Sequence, residues 1–201
     1  ISGLVPFSIA ELLLMLVSIL LLILFLVLIV KPSILLNNLG LICHCIIRIL
    51  AVIYILFYFL WGFNYYRLDY IDIANMDKGP ATFAELRELS LDMIKKSNYV
   101  REGLLEDADG VFYIEGGFQE LNDIAQLGFD NLTFEPLNQV NKYGRVKPVL
   151  LSKYLSYTGI MGIYIPFTSE PNVNIDIPHH NILSTISHEI AHQIGFAKED
   201  E

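Results

Sequence analysis

The chain is 201 residues long, 54% hydrophobic and only 17% charged, with a formal net charge of −9 and a mean hydropathy of +0.49. So apolar and charge-poor a composition excludes a wholly soluble protein, and intrinsic disorder needs the opposite bias. The acidic balance also argues against a phosphate backbone as partner.

The first residues read as a short turn without the basic region or cleavage site of a signal peptide, and Ile1 is not an initiator, so the sequence is expected to continue upstream. Residues 12–30 form an apolar run interrupted only by Ser18. At about 1.5 Å per residue that run crosses a bilayer core of about 30 Å. A second apolar stretch, residues 41–63, is broken by His44 and Arg48 near its start, where a cationic side chain can snorkel. Together they predict a transmembrane hairpin over residues 1–66, with helices at about 8–31 and 41–63. Its tip at 31–40 is suggested by Lys-Pro, Asn37, Asn38 and Gly40. Trp61, Phe63, Tyr65 and Tyr66 suit an interfacial belt at the far end. Lys31 and Arg48 favour a cytoplasmic tip, with everything beyond residue 66 outside. Cys43 and Cys45 stand two apart in an apolar helix, point to different sides and cannot comfortably bridge.

Beyond Asn64 the character changes. Setting aside Lys31, Arg48 and Glu11 leaves 11 cations against 21 acids, a net charge of −10, whose ordinary meaning is solubility. Thr82-Phe-Ala-Glu85 has capping-box spacing and opens a helix of about twenty residues ending near Gly103, with Leu86, Leu89 and Met93 on one face. Residues 117–127 form a further helix, closed by Gly128. Residues 147–151 and 160–165 are β-rich runs that read as two strands. Residues 67–201 are therefore expected to fold as an α+β domain.

Asn181 is a good N-cap for a helix running to about Ile194, with Gly195 at C′. Ile182, Ile186, Ile190 and Ile194 make an apolar stripe, and Ser184, His188 and His192 a second row about 160° away. The segment His188-Glu189-Ile190-Ala191-His192 is H-E-x-x-H on a helix, a pattern expected by chance in under about 1% of chains of this composition. Histidines at i and i+4 share a face, so two imidazole nitrogens can reach one Zn²⁺ while the intervening Glu stands beside its open position. Zinc polarises a carbonyl and acidifies water, and Glu189 can take the proton and pass it to a leaving amine. The plain alternative is a pair of partly exposed histidines flanking a solvated Glu, but the cap, stripe and stop supply the context the motif needs. A third protein ligand is required. The H-E-x-x-H-x-x-G-x-x-H variant fails at Lys198, which leaves a carboxylate from Glu199, Asp200 or Glu201.

Four segments carry a resemblance: Ser2-Gly-Leu-Val-Pro-Phe-Ser8, Phe57-Tyr-Phe-Leu-Trp-Gly-Phe-Asn-Tyr-Tyr-Arg67, Leu155-Ser-Tyr-Thr-Gly-Ile-Met-Gly-Ile-Tyr-Ile-Pro-Phe-Thr-Ser-Glu-Pro-Asn-Val-Asn174 and Ser187-His-Glu-Ile-Ala-His-Gln-Ile-Gly-Phe-Ala-Lys-Glu-Asp-Glu201. In these the chain resembles the bacterial membrane family catalogued as domain of unknown function 3810. The resemblance implies a zincin-like metallopeptidase of the Glu-ligand type, anchored in the cell membrane by N-terminal helices, with further helices before and after this stretch and the peptidase domain outside. It also implies Glu201, which would head an E-A-N motif, as the third ligand.

The expectation is thus a membrane-anchored zinc metallopeptidase acting on a peptide or protein substrate, with His188, His192 and Glu201 on the metal and Glu189 as general base. The isolated stretch would be expected to be inactive. The rival is a membrane-anchored module that keeps zinc for structure or sensing. Residues 159–167 read equally as a substrate-pairing edge strand or a core strand. His179 and His180, and more weakly Tyr157 and Tyr164, are candidate transition-state donors, though an exposed turn explains the histidines as well.

Overall fold

The computed structural model describes residues 5–77, 79–131 and 144–199. It opens with two helices, α1 (Ile9–Val30) and α2 (Pro32–Leu60). Ser8 caps α1 by accepting from the Glu11 N–H at 3.0 Å. Both helices are long and apolar enough to cross a membrane, and their apolar side chains stand exposed on all sides. The expected turn over 31–40 contracts to one residue. Lys31 breaks the helix with φ −130° and ψ 68°, and α2 restarts at once because Pro32 occupies a first-turn position, where its missing N–H costs nothing. Asn37, Asn38 and Gly40 therefore lie inside α2.

The pair returns to its starting point. At the beginning of α1, the Ile9 and Ala10 N–H groups donate to the Glu170 carboxylate at 3.1 and 2.8 Å. The Glu11 carboxylate accepts from the Leu150 and Leu151 N–H groups at 2.8 and 2.9 Å. At the end of α2, the Trp61 ring lies 5.1 Å from that of Tyr164. Glu170 and Lys147 are both buried at this seam. Burial holds the Lys147 ammonium below the usual lysine range and the Glu170 charge opposes that fall, while the ammonium donates to the Val5 carbonyl.

A 3₁₀ turn (Gly62–Tyr66) and a short α3 (Tyr70–Ile73) follow. The capping box forms as expected and opens α4 (Phe83–Arg101), with Thr82 N–H to Glu85 at 2.7 Å and Glu85 N–H to Thr82 at 3.3 Å. The Thr82 N–H, and then the Thr82 hydroxyl donating to the same carboxylate at 2.8 Å, hold the Glu85 carboxyl below its ordinary value. None of α4 is buried, so the face made by Leu86, Leu89 and Met93 has no cover among the described residues. α5 (Gly117–Asp130) runs through Gly128 instead of ending there, because Leu121, Asn122 and Ala125 bury one face and tertiary packing carries the helix past a weak breaker.

The sheet has three strands in the order β1 (Lys147–Pro148), β3 (Glu170–Val173), β2 (Gly162–Ile165), with β1 parallel and β2 antiparallel to β3. The run expected as a strand over 147–151 pairs only at its first two residues, since the chain then turns into α6 (Ser152–Ser156). The central strand, Glu-Pro-Asn-Val, lacks a β-rich composition. It is buried throughout, and most of its polar groups find partners: Asn172 Nδ2 donates to the Glu170 carbonyl at 2.9 Å and to the Ile163 carbonyl of β2 at 3.3 Å, and the Glu170 carboxylate accepts from the start of α1.

Helix α7 (His179–Gln193) packs across β2 and β3 and against α5. Its stripe of Ile182, Ile186, Ile190 and Ile194 joins Leu121, Val146, Val173 and Phe196 in the core. The helix starts two residues before Asn181, with Pro178 at the cap position and no side-chain cap. The Asn181 carbonyl serves inside the first turns, accepting from the Thr185 hydroxyl at 2.7 Å. His179 anchors the start, its Nδ1 accepting from the Ile114 N–H at 2.9 Å. Gly195 closes the helix at φ +105°, and the Phe196 N–H to Ala191 carbonyl and Gly195 N–H to His192 carbonyl bonds, both 3.0 Å, make a Schellman turn.

Candidate functional site

The face of α7 opposite the isoleucines carries the site. The His188 and His192 rings stand 4.5 Å apart at 79°. The Schellman turn brings the chain back so that Glu199 reaches both, with Oε2 at 3.1 Å from His188 Nε2 and Oε1 at 3.5 Å from His192 Nε2. One ligand atom from each of the three lies within 4.8 Å of the others. His192 Nδ1 is 2.7 Å from the Phe196 carbonyl. A carbonyl only accepts, so that nitrogen carries a proton, and Nε2 is the ring nitrogen that faces Glu199.

Glu189 lies under this cluster, 3% exposed, and its Oε2 has no hydrogen-bond partner among the described residues. Burial, and then the charge of Glu199, push its carboxyl up to about 8. A cation held by the cluster would oppose both effects. Gly162 makes this seat possible. A Cβ there would stand 2.4 Å from Glu189 Oε1 and 2.6 Å from Thr185 Cγ2, so any larger residue on β2 would drive the carboxylate away.

The site opens into a cleft of about 290 Å³. One wall is β2, through Gly162, Ile163 and Tyr164, and the other is Phe57 and Trp61 at the end of α2 with Tyr65 of the 3₁₀ turn. Trp61 touches both sides, 5.4 Å from the His192 ring and 5.1 Å from Tyr164. The segment after α2 also clamps the turn that carries Glu199. Arg67 donates to the Ile194 carbonyl at 2.9 Å, at the negative end of α7, and its guanidinium lies 5.7 Å over the Phe196 ring. Its Nη1 would be 1.9 Å from a Cβ on Gly195, so that glycine serves close approach as well as backbone conformation. Asp69 pairs with Lys198.

The fold brings His188, Glu189, His192 and Glu199 together, while Asp200 and Glu201 lie outside the described residues. β2 is one of the two edge strands of the sheet and Tyr164 lines the cleft, whereas Tyr157, His179 and His180 do not. Sequence reasoning missed Trp61, Arg67 and Gly162. Trp61 was read as a belt residue, Arg67 was given no part in the site, and only a three-dimensional neighbour, Glu189, gives Gly162 its meaning.

The chain matches neither a curated protein nor a solved structure at a significant level. The profile of one family, described as Protein of unknown function (DUF3810), matches residues 1–201, and the chain belongs to that family.

Proposed function

We propose that the chain is a membrane-anchored zinc peptidase. The observation that carries this reading is the convergence of two imidazole Nε2 atoms and a carboxylate on one cleft that Glu189 also lines, with a buried oxygen that has no partner among the described residues. The residues fit a zinc ion by donor chemistry, by the tautomer that the Phe196 carbonyl imposes on His192, and by their separations. Zinc, when bound, supplies a Lewis acid and acidifies water.

The chain's own residues do the rest. Glu189 takes the proton of the attacking water on its carboxylate and delivers it to the departing amine, so one proton moves from nucleophile to leaving group as the peptide bond breaks. The outer edge of β2, unpaired among the described residues, takes an extended substrate backbone in this reading, and Tyr164 flanks it. The third ligand comes from the run Glu199-Asp200-Glu201. The distances support Glu199, whereas the family resemblance supports Glu201. In this reading the two apolar helices anchor the domain, and the distribution of Lys31 and Arg48 supports a placement on the outer side.

The test is hydrolysis of a mixed peptide library by the purified full-length protein supplied with zinc, the form used in every activity and metal test below. Glu189→Gln should lower the rate by at least about 10²-fold while leaving bound zinc unchanged. Zinc-independent hydrolysis, or an unaffected Glu189→Gln, would refute the reading. The same preparations assign the third ligand, because whichever of Glu199→Ala and Glu201→Ala loses metal and activity together identifies it.

A further inference from the structure

The cleft begins where the second apolar helix ends. Phe57 lies in the last turn of the apolar stretch Asn37–Leu60, Trp61 follows it directly, and both line the cleft with His188 and Glu189. From Phe57 to Trp61 is about 6 Å along a helix axis. The Phe57 ring lies 6.4 Å from Phe167 beside β2, and Trp61 bridges Tyr164 and His192. No stalk intervenes on the other side either, since the first turn of α1 is hydrogen-bonded to Glu170, Leu150 and Leu151. Pinned at both ends, the sheet and α7 sit at a fixed height just above the two helices. Exposed Phe59, Phe63, Tyr65 and Tyr66 ring that level, the composition of a bilayer interface.

Resting on the peptidase reading above, we infer that the substrate is the juxtamembrane segment of a membrane-anchored polypeptide, taken into the cleft as an extended strand. Such a strand advances about 3.3 Å per residue, so about three to five residues carry it from the hydrocarbon edge to the two histidines. The aromatic wall of Phe57, Trp61 and Tyr65 suits the apolar and aromatic side chains that flank a membrane helix. Confinement to the same bilayer raises the effective concentration of an anchored segment over that of a free peptide.

The experiment uses the protein in phosphatidylcholine vesicles supplied with zinc, with Glu189→Gln as background. A library of randomised segments is presented directly after a single transmembrane helix, after the same helix and a rigid proline-rich spacer of about 35 Å, and as free peptide. Cleavage of the directly anchored form should be at least about 10-fold faster than of the other two, with cuts within about five residues of the membrane helix. Equal cleavage of anchored and free libraries overturns the inference and leaves the peptidase reading standing. Cleavage of no library by zinc-loaded protein overturns both. A readout independent of turnover comes from Trp61, the chain's single tryptophan. Lipids brominated at shallow acyl positions should quench its fluorescence more than deeply brominated ones, and no quenching by either would remove the cleft from the bilayer boundary.

Discussion

The helices α4 and α7 have opposite surroundings. α4 closes its own first turn with a reciprocal capping box and buries nothing, whereas α7 has no side-chain N-cap and buries Ile182, Thr185, Ile186, Glu189, Ile190 and His192. One is held by local bonds, the other by what packs on it: Ile114 at its start, the sheet along its length, and the Schellman turn with Arg67 at its end. The proposed chemistry sits on the second kind of helix. A zinc site needs side chains fixed to within a fraction of an ångström, and only a packed scaffold supplies that.

The contrast breaks most readily at Ile186, which is fully buried. Ile186→Ala should cost about 2–5 kcal/mol in denaturant unfolding followed by circular dichroism in detergent, by lost burial and the cavity left behind. A cost within about 0.5 kcal/mol would show that α7 is not a core helix.

Next in size is Gly162→Ala, which reaches α7 from the sheet. The added Cβ would meet Glu189 Oε1 at 2.4 Å, so the base must move while the ligand atoms stay. Zinc content should be unchanged and turnover should fall by about 10²-fold, the cost of a misplacement near 1 Å. Equal loss of both would mean that the strand supports the whole cluster and not the base alone.

The smallest effect belongs to α4. Leu89 is 58% exposed, and Leu89→Ala should change stability by no more than about 0.5 kcal/mol. A larger loss would reveal a cover for this helix. Because the Glu85 carboxyl is held below its ordinary value, its contribution to the capping box is complete above the usual carboxylate range. That contribution disappears as pH falls through the lowered folded value, a change readable from the carboxyl ¹³C shift.

The same division explains what could be read in advance. The H-E-x-x-H pair, the isoleucine stripe, the Thr82 box and the glycine at 195 are periodic or local signals, and each stands where its spacing puts it. β3 was invisible because Val173 alone in Glu-Pro-Asn-Val favours a strand, and Asn172 and Glu170 find their partners at Ile163 and Ile9, elsewhere in the fold. The bond from Ile9 to Glu170 spans 161 residues, beyond any window of sequence pattern. Turn residues misled at 31–40, since Pro32 starts a helix as readily as it ends one. Trp61 was legible as an aromatic at the end of an apolar run, but its place against His192 depends on how α2 meets α7.

The most direct test of the central claim is metal content. Protein purified without chelator is analysed for zinc as wild type, His188→Ala, His192→Ala and Glu189→Gln. The account predicts about one zinc per chain in the wild type and in Glu189→Gln, and none in either histidine variant. Equal zinc in all four proteins, or none in the wild type after zinc is supplied, would contradict it.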